Sequence, residues 1–343
     1  MCPPSNIING SLLKTSNLAL CTTVFSPLYI ASSEILYSFC FNISKTNDVE
    51  FLFIDDASKD NSCEVLKNVI DEYAGQNLNV KIIHHEKNQG LPSARNTGLK
   101  HARGEYVMHV DGDDFLEKSA LELLYKTVIE NDADVAWCDY YITFENKKRV
   151  IAQPCFDTPE DAVRGMLRGT MKYNVWNKLC RKSLYDNHKI TFPDGRSMGE
   201  DLTMIMVFLH ASRCTYVNKP LYNYVQNPNQ MTATYDNEKL DSLRYNCNRI
   251  SQYIDLHFNH IDYRNEYSAL KQLMKWPFLL DGKYSSYKRW QKWFPESNDY
   301  IWQTKGVNKR IQFIEWCAAK HLFPIVWLHY LLVIKIYYGI VYK

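Results

Sequence analysis

The sequence has almost no net charge and no closely spaced cysteines. Its 343 residues carry 40 Lys and Arg against 38 Asp and Glu, a formal net charge of +2, and the basic residues form no long run. Bulk electrostatics therefore gives no support for a nucleic-acid partner. The ten cysteines include no Cys-x-x-Cys pair, so neither a zinc ribbon nor a disulfide framework is indicated. We expect reduced thiols in a cytoplasmic compartment.

Neither end of the sequence reads as a clear membrane segment. Residues 1–17 are polar and lack the charged stretch and long apolar core of a secretory signal. Residues 322–342 are mostly apolar and aromatic, but Lys335 within them is costly at the centre of a bilayer. Two alternatives remain open for 322–342. One is peripheral contact with the inner face of the cytoplasmic membrane, and the other is a terminal helix packed on the domain.

Three groups of carboxylates stand out, at Asp55-Asp56, Asp111-Gly112-Asp113-Asp114 and Glu200-Asp201. The second group follows an apolar run that begins at Tyr106. Three like charges packed this closely repel one another, and a divalent metal ion would compensate them. The alternative is an acidic, solvated turn around Gly112. If the strands before the first two groups are parallel neighbours, both groups lie at one edge of the sheet, where open α/β folds bind ligands.

Strands and helices alternate through roughly the first 140 residues. Short apolar runs predict strands at residues 18–25, 49–54, 80–83, 106–110 and 135–138. The alternation predicts a three-layer α/β/α sandwich with a mostly parallel sheet. After Tyr224 the sequence changes to long helices rich in Tyr, Lys and Trp. We therefore predict one α/β domain over 18–235 and a C-terminal helical region over 236–343, and we leave 1–17 unassigned.

Six short motifs follow one another along the chain: Asp55-Asp56-Ala57-Ser58, Asn88-Gln89-Gly90, Ala94-Arg95-Asn96-Thr97-Gly98, Asp111-Gly112-Asp113-Asp114, Trp176-Asn177-Lys178-Leu179 and Gly199-Glu200-Asp201. In this order they resemble glycosyltransferase family 2, whose members are nucleotide-diphospho-sugar transferases of GT-A fold. The resemblance covers roughly Pro27 to Thr232. Each motif is weak alone, but their order and spacing together are specific.

The resemblance implies a metal-dependent, inverting transferase that moves a sugar, expected to be UDP-linked, to a hydroxyl of a glycan or lipid-linked acceptor in cell-surface polysaccharide biosynthesis. The donor-binding residues that it implies are Pro27, Tyr29, Asp55, Asp56, Arg95, Asp111, Asp113 and Asp114. Asp113 and Asp114 would also bind Mn²⁺ or Mg²⁺ on the diphosphate. Asp201 would be the general base, and Glu200 would orient it or the acceptor.

Several of these residues have a structural alternative. Arg95 either faces the diphosphate or is solvated or salt-bridged on its helix. Trp176 either stacks on an acceptor sugar or packs in the core. For Glu200 and Asp201, the alternative is that both simply cap a helix.

One position departs from the family, and it bears on the rival functions. Where the family has Pro-Val-Tyr-Asn after its first strand, this chain has Pro27-Leu28-Tyr29-Ile30, and isoleucine has no amide to offer a nucleotide base. The departure motivates a second class, a non-catalytic relative that binds nucleotide or glycan as a partner subunit. The intact Asp111, Asp113 and Asp201 argue against that class. A third class, the sugar nucleotidyltransferases, expects a glycine-rich basic loop, and residues 26–33 contain no Gly, Lys or Arg.

Overall fold

The computed structural model describes residues 18–24, 49–73, 79–196, 199–226, 237–304 and 307–337. The chain divides into two compact units. One comprises Met1–Ala162 and Tyr173–Ser242, and the other comprises Val163–Lys172 and Leu243–Lys343.

Within the described ranges, nine strands form one sheet in the order β3-β2-β1-β4-β8-β6-β9-β5, with β7 paired to β6. Their bounds are Leu18–Val24 (β1), Val49–Asp55 (β2), Asn79–His84 (β3), Tyr106–Asp111 (β4), Phe115–Leu116 (β5), Val135–Phe144 (β6), Lys147–Ile151 (β7), Lys178–Arg181 (β8) and Cys214–Val225 (β9). Strands β3, β2, β1 and β4 are parallel neighbours. Beyond β4 the sheet is mixed, because β8 runs antiparallel to both β4 and β6.

Eleven α-helices lie in the described ranges: Ser62–Glu72 (α1), Leu91–His101 (α2), Ala120–Glu130 (α3), Pro159–Leu167 (α4), Lys182–His188 (α5), Glu200–His210 (α6), Asn237–His257 (α7), Arg264–Lys275 (α8), Tyr284–Lys292 (α9), Lys309–Ala319 (α10) and Phe323–His329 (α11). A π-helical segment, Tyr330–Tyr337, follows α11. Helices α1 and α2 make the crossovers that parallel strands require. No described helix is both long enough and apolar enough to span a bilayer.

The strand β2 belongs to the hydrophobic core. All seven of its residues are buried, and Phe51, Leu52, Phe53 and Ile54 are each at most 2% exposed. A continuous apolar run of this kind is typical of a parallel strand that is covered on both faces. The second residue of the strand is a buried carboxylate, Glu50, which accepts hydrogen bonds from the backbone N–H groups of Arg103 and Gly104 at 2.5 and 2.8 Å.

The register of the parallel strands brings their carboxyl ends together. Asp55 at the end of β2 pairs with Val24 of β1, and Asp111 at the end of β4 pairs with Thr23. On the other side of β2, Asp55 pairs with His84, the last residue of β3. The first two carboxylate groups therefore share one edge of the sheet, as the sequence predicted.

Residues 163–172 belong to the second unit, which the sequence pattern did not indicate. Their Arg164 and Arg168 both pair with Glu266 on α8, whose side chain is only 4% exposed. A buried carboxylate without such partners would cost several kcal/mol, on the order of 3–5. The two ion pairs therefore explain why this short segment stays with the helical unit.

The cysteines differ in their environments. Free thiols are found at Cys63, Cys138, Cys180, Cys214, Cys247 and Cys317, whereas Cys155 is disulfide-bonded. The expectation of reduced thiols therefore fails at Cys155. Burial raises the pKa of Cys138, Cys180 and Cys214 to about 12, which keeps these thiols protonated.

Candidate active site

Two consecutive aspartates end β2, and their surroundings differ. The side chain of Asp55 is 9% exposed and that of Asp56 is fully buried. Asp55 accepts hydrogen bonds from the backbone N–H of Ser58 and from His84, each at 2.9 Å. Burial raises the pKa of Asp55, but the hydrogen bonds from Ser58 and His84 outweigh it, so this pKa lies below its usual value. Asp55 therefore stays ionised, and it is the less buried of the two aspartates.

Asp56 is occupied by protein donors. Its Oδ1 accepts from the N–H of Gln89 at 2.8 Å and contacts Nδ1 of His85 at 2.7 Å, while its Oδ2 accepts from the N–H of Gly90 at 2.7 Å. Gly90 has φ of +88°, a conformation that favours glycine, and it immediately precedes α2. Asp56 thus holds the Asn88-Gln89-Gly90 loop in position, and Asp55 is the less buried carboxylate at this end of β2.

The turn after β4 presents one carboxylate and buries another. Asp114 is only 2% exposed, and it accepts hydrogen bonds from the hydroxyl of Tyr222 and the N–H of Val225, both at 2.8 Å. The Tyr222 oxygen in turn accepts from the N–H of Asp111 at 3.1 Å. These bonds engage both oxygens of Asp114 and fix the turn to β9.

Asp113 is the carboxylate of this turn that is exposed. Desolvation by the surrounding protein raises the pKa of Asp113 to about 6, and repulsion from Asp111 adds to the effect. A cation would relieve that repulsion. Oxygen-only donors suit a hard ion such as Mg²⁺ or Mn²⁺. Asp113 is therefore the carboxylate of this turn that fits a divalent cation, whereas Asp114 is engaged by Tyr222 and Val225 and holds the turn in place.

Arg95 joins the end of β4 to the helix that carries the third carboxylate group. It is 2% exposed, and its guanidinium donates to Asp111 at 2.8 Å and to Glu200 at 2.7 Å. It also lies over the ring of Phe192, 5.5 Å from the centroid. Burial lowers the pKa of Arg95, but attraction to Glu200 and Asp111 outweighs it and holds the pKa above its usual value. The salt-bridged alternative is thus the one observed.

The start of α6 is held close to the same cluster. An added Cβ at Gly199 would lie 2.4 Å from Cδ of Pro193, so only glycine allows this approach. The side chain of Asn96, next to Arg95, hydrogen-bonds both the N–H and the carbonyl of Phe192, at 2.8 and 2.9 Å. Helix α2 therefore fixes the backbone at Phe192 and, through Arg95, the orientation of Glu200.

Three predicted site residues lie partly or wholly outside the described residues. Asp201 occupies the first turn of α6, but its side chain is not among those described. Pro27 and Tyr29, together with the departure at Ile30, fall in the undescribed range 25–48.

Trp176 lies in the core, in accordance with the alternative left open by the sequence. It is 4% exposed and stacks on Tyr222 and Tyr224, at centroid distances of 4.3 and 5.4 Å. Tyr140 meets it edge-on at 4.8 Å. Its aromatic surface is already covered by these rings, so the predicted stacking on an acceptor sugar is not supported. Because the hydroxyl of Tyr222 also bonds Asp114, the packing of Trp176 on Tyr222 helps to hold the acidic turn in place.

Two buried ionisable residues beside the site were missed by the sequence reasoning. Lys178 is 1% exposed, and its ammonium donates to the Asn174 carbonyl at 2.7 Å and to Asn177 at 3.0 Å. Burial lowers its pKa to about 8. His109 of β4 is 3% exposed, and burial followed by repulsion from Arg95 lowers its pKa to about 3. The sequence could have indicated Lys178, because it lies within the motif Trp176-Asn177-Lys178-Leu179. No sequence pattern distinguished His109 from the other residues of its apolar strand.

Solved structures of similar fold define the class. The chain superposes on Staphylococcus aureus TarS 1–349 in complex with UDP-GlcNAc with a TM-score of 0.65 and 18% identity, over 92% of this chain and 91% of that one. It superposes on the mannosyltransferase PcManGT of Pyrobaculum calidifontis, in complex with GDP-Man and Mn²⁺, with a TM-score of 0.51 and 11% identity, over 93% and 88% of the two chains. At these identities the likeness establishes the fold, which is the GT-A fold.

The sequence comparison identifies the family. The model of glycosyl transferase family 2 matches residues 23–202, just over half of the chain. The chain therefore belongs to glycosyltransferase family 2, and the predicted family and fold class are both confirmed.

Individual relatives match only part of their own length. Glycosyltransferase GlyG of Streptococcus pneumoniae is 30% identical over 189 residues, 52% of this chain and 61% of GlyG. Poly(ribitol-phosphate) beta-N-acetylglucosaminyltransferase TarP of Staphylococcus aureus is 36% identical over 182 residues, 52% of this chain and 53% of TarP. The chain thus spans little more than half the length of the curated relatives that it matches.

Proposed function

We propose that this protein is an inverting, metal-dependent glycosyltransferase that uses a UDP-sugar donor. The observation that carries the proposal is the bridge of Arg95, which joins Asp111 at the donor edge of the sheet to Glu200 at the start of α6. The bridge supports the proposal because it joins, in one cluster of charges, residues that the family resemblance assigns to donor binding and to catalysis. The UDP-GlcNAc complex of the structurally similar TarS supports the choice of nucleotide.

On the donor side, Asp55 accepts a hydrogen bond from the base, and Asp56 holds the loop beneath it. Asp111 faces the ribose, and Asp113 provides a carboxylate ligand for Mn²⁺ or Mg²⁺, with Asp114 holding the turn through Tyr222. When bound, such a cation offsets the charge that develops on the departing diphosphate. Because the turn is fixed by protein hydrogen bonds, its carboxylates need little rearrangement to bind the donor.

On the acceptor side, Asp201 takes the proton of the attacking hydroxyl. The oxygen forms a bond to the anomeric carbon while the bond from that carbon to the nucleoside diphosphate breaks, and this single displacement inverts the configuration. A carboxylate is a weak base, so its contribution depends on placement. Glu200, held by Arg95, orients the first turn of α6 and therefore Asp201.

The acceptor is a glycan or a lipid-linked sugar of a cell-surface polysaccharide, as the family resemblance implies; the relative TarP is named as a transferase that acts on a polymer, poly(ribitol-phosphate). Peripheral contact with the inner face of the cytoplasmic membrane accompanies this role. It is supported by large apolar side chains that are 38–51% exposed on α11 and the π-helical segment: Ile325, Trp327, Leu328, Leu332 and Ile336. Aromatic and aliphatic side chains on one surface are typical of segments that lie at a membrane interface.

The mechanism is tested by comparing Asp201→Asn with the unchanged protein on a panel of UDP-sugars, with oligosaccharide and lipid-linked acceptors. We expect kcat to fall on the order of 10²–10⁴-fold while the donor Kd changes little. Near-normal turnover would exclude Asp201 as the base. If the unchanged protein bound nucleotide but transferred nothing to any acceptor, the non-catalytic partner subunit would be the better account.

A further inference from the structure

Three side chains of different chemistry converge at the carboxyl end of β2, on the side away from Asp111. Asp55 ends β2, Cys63 lies in the first turn of α1, and His84 ends the neighbouring strand β3. One ligand atom from each, a carboxylate oxygen, a thiol sulfur and an imidazole nitrogen, lies within 4.8 Å of the other two. The proposed function uses only Asp55 of these three.

The cluster is already ordered by hydrogen bonds. Nδ1 of His84 lies 2.9 Å from Oδ2 of Asp55, and the Cys63 side chain hydrogen-bonds the same carboxylate. The other oxygen, Oδ1, accepts from the N–H of Ser58 at 2.9 Å, which fixes the plane of the carboxylate. Such backbone support of a carboxylate is the arrangement that orients a metal ligand. Cys63 is a free thiol and is available to bind.

We infer that Asp55, Cys63 and His84 form a binding site for a borderline-soft divalent cation, with Zn²⁺ as the ion that fits best. Pairs of ligands around a tetrahedral Zn²⁺ ion lie roughly 3.3–3.6 Å apart, given its usual bond lengths to nitrogen, oxygen and sulfur. The three atoms here need only small side-chain rotations to reach those separations. Binding releases the thiol proton of Cys63 to solvent, while neutral His84 carries its own proton on Nε2 and binds the ion through Nδ1.

The site is open on one side. The His84 side chain is 50% exposed, which gives the ion a path from solvent and leaves a fourth position for water. Its sulfur and nitrogen ligands also separate it from the turn at Asp113, whose oxygen-only donors suit Mn²⁺ or Mg²⁺. Two cations of different softness would therefore bind at two places on the same edge of the sheet.

Because the ion would bind Asp55, it would affect binding of the sugar donor. This step rests on the proposed function, in which Asp55 accepts from the nucleotide base. When Oδ2 of Asp55 binds Zn²⁺ and Oδ1 stays bonded to the N–H of Ser58, neither oxygen remains to accept a hydrogen bond from the base. Zn²⁺ and nucleotide therefore exclude one another, and Zn²⁺ inhibits transfer even when Mn²⁺ is saturating.

The binding step is tested on the full-length, metal-free protein with Co²⁺ as a spectroscopic substitute for Zn²⁺. We expect one equivalent of Co²⁺ to give thiolate-to-cobalt charge-transfer absorption that is abolished in Cys63→Ser and displaced by Zn²⁺. Serine retains a hydroxyl that can bond Asp55, so the variant should fold. His84→Gln should weaken Zn²⁺ binding on the order of a hundredfold. The control Cys214→Ser, a free thiol outside the cluster, should leave both readouts unchanged.

Charge-transfer absorption that persists in Cys63→Ser, or the absence of any such absorption, would overturn the site. The second step is tested by titrating UDP in the presence of Mn²⁺, with and without Zn²⁺. Loss of UDP binding in Zn²⁺ that is restored in Cys63→Ser supports mutual exclusion, and unaltered UDP binding to the Zn²⁺-loaded protein contradicts it. If no nucleotide binds under any condition while Co²⁺ still binds through Cys63, the donor assignment fails and the cation site stands.

Discussion

Arg95 is a single buried cation that pairs with two carboxylates of the site. Its planar guanidinium donates in two directions at once, to Asp111 at the end of β4 and to Glu200 at the start of α6. A buried arginine is costly without compensation, and either carboxylate would be costly beside it if left alone. The three groups therefore depend on one another, and the position requires the fork geometry of arginine as well as its charge.

Replacing Arg95 with lysine tests this dependence. One ammonium cannot span both carboxylates in the same geometry, so we expect Arg95→Lys to lower the free energy of unfolding by about 1–3 kcal/mol. Urea unfolding followed by tryptophan fluorescence measures the change. Arg103→Lys is the matched control, because Arg103 is 75% exposed and its Nε lies 3.5 Å from Glu50. A surface pair of this kind contributes about 0–1 kcal/mol, and equal effects of the two variants would contradict the account.

His109 gives stability a dependence on pH. Neither ring nitrogen has a hydrogen-bond partner among the described residues, and burial lowers its pKa from 6.5 to about 3. The folded protein therefore keeps His109 neutral, whereas the unfolded chain binds a proton below pH 6.5. The unfolded state thus binds more protons, and stability is lost as the pH falls from 6.5 towards 3.

His109→Leu should remove this contribution. We expect the loss of unfolding free energy between pH 7 and pH 5 to be about 2 kcal/mol smaller in the variant than in the unchanged protein. Urea unfolding at the two pH values gives the difference directly. Met108→Leu, a volume-conserving change at the neighbouring buried position, controls for repacking. An identical pH dependence in His109→Leu would show that the histidine does not titrate on unfolding.

At the scale of the elements, periodicity predicted the parallel half of the sheet well. The apolar runs at 49–54 and 80–83 correspond to β2, Val49–Asp55, and β3, Asn79–His84. The strand at 135–138 was predicted too short, since β6 continues to Phe144. Its second half pairs with β7 and β9 and is partly exposed, so it lacks the continuous apolar pattern of a fully buried strand. The sequence of this second half does not reveal that it pairs with β9, which lies far along the chain.

Gly282 fixes the approach of the C-terminal segment within the helical unit. Its φ is +71°, and an added Cβ would lie 2.3 Å from the ring of Tyr330. Gly195 has nearly the same φ, +70°, but nothing within 4 Å. Gly195→Ala should cost only the backbone strain, about 1–2 kcal/mol. Gly282→Ala should cost a further 1–3 kcal/mol or so, because a rigid ring must move. Thermal unfolding of the two variants measures both losses of stability. Equal losses would show that contact with the Tyr330 ring is not the reason for glycine at position 282.

The exposed apolar side chains of α11 allow a separate test of membrane binding. Leu328 is 48% exposed beside Trp327, whereas Leu256 on α7 is 74% exposed. If α11 lies at the bilayer interface, Leu328→Gln should weaken co-sedimentation with anionic phospholipid vesicles about ten- to a hundredfold, because one buried leucine contributes about 1.5–3 kcal/mol. Leu256→Gln should leave it unchanged. Equal effects, or no binding by the unchanged protein, would favour the packed terminal helix.

At the scale of the whole molecule, the sequence predicted which residues gather at the site better than what each of them does. Register and strand direction bring Asp55 and Asp111 to one edge, and a pattern can indicate that much. Asp55 and Asp56 differ in role, as do Asp113 and Asp114. In each pair, the difference depends on which carboxylate accepts hydrogen bonds from backbone N–H groups that are distant in sequence. Trp176 became a core residue for the same reason, because Tyr222 and Tyr224 cover it from a strand more than forty positions later.

The central claim is that the acidic turn binds a cation together with a nucleoside diphosphate. Calorimetric titration of the full-length protein with UDP, and with other nucleoside diphosphates, in the presence and absence of Mn²⁺ tests it most directly. We predict that UDP binds only with Mn²⁺, that Asp113→Ala abolishes this binding, and that the surface variant Glu130→Ala retains it. Binding that is equally strong without metal or in Asp113→Ala, or no binding of any nucleoside diphosphate, would contradict the claim.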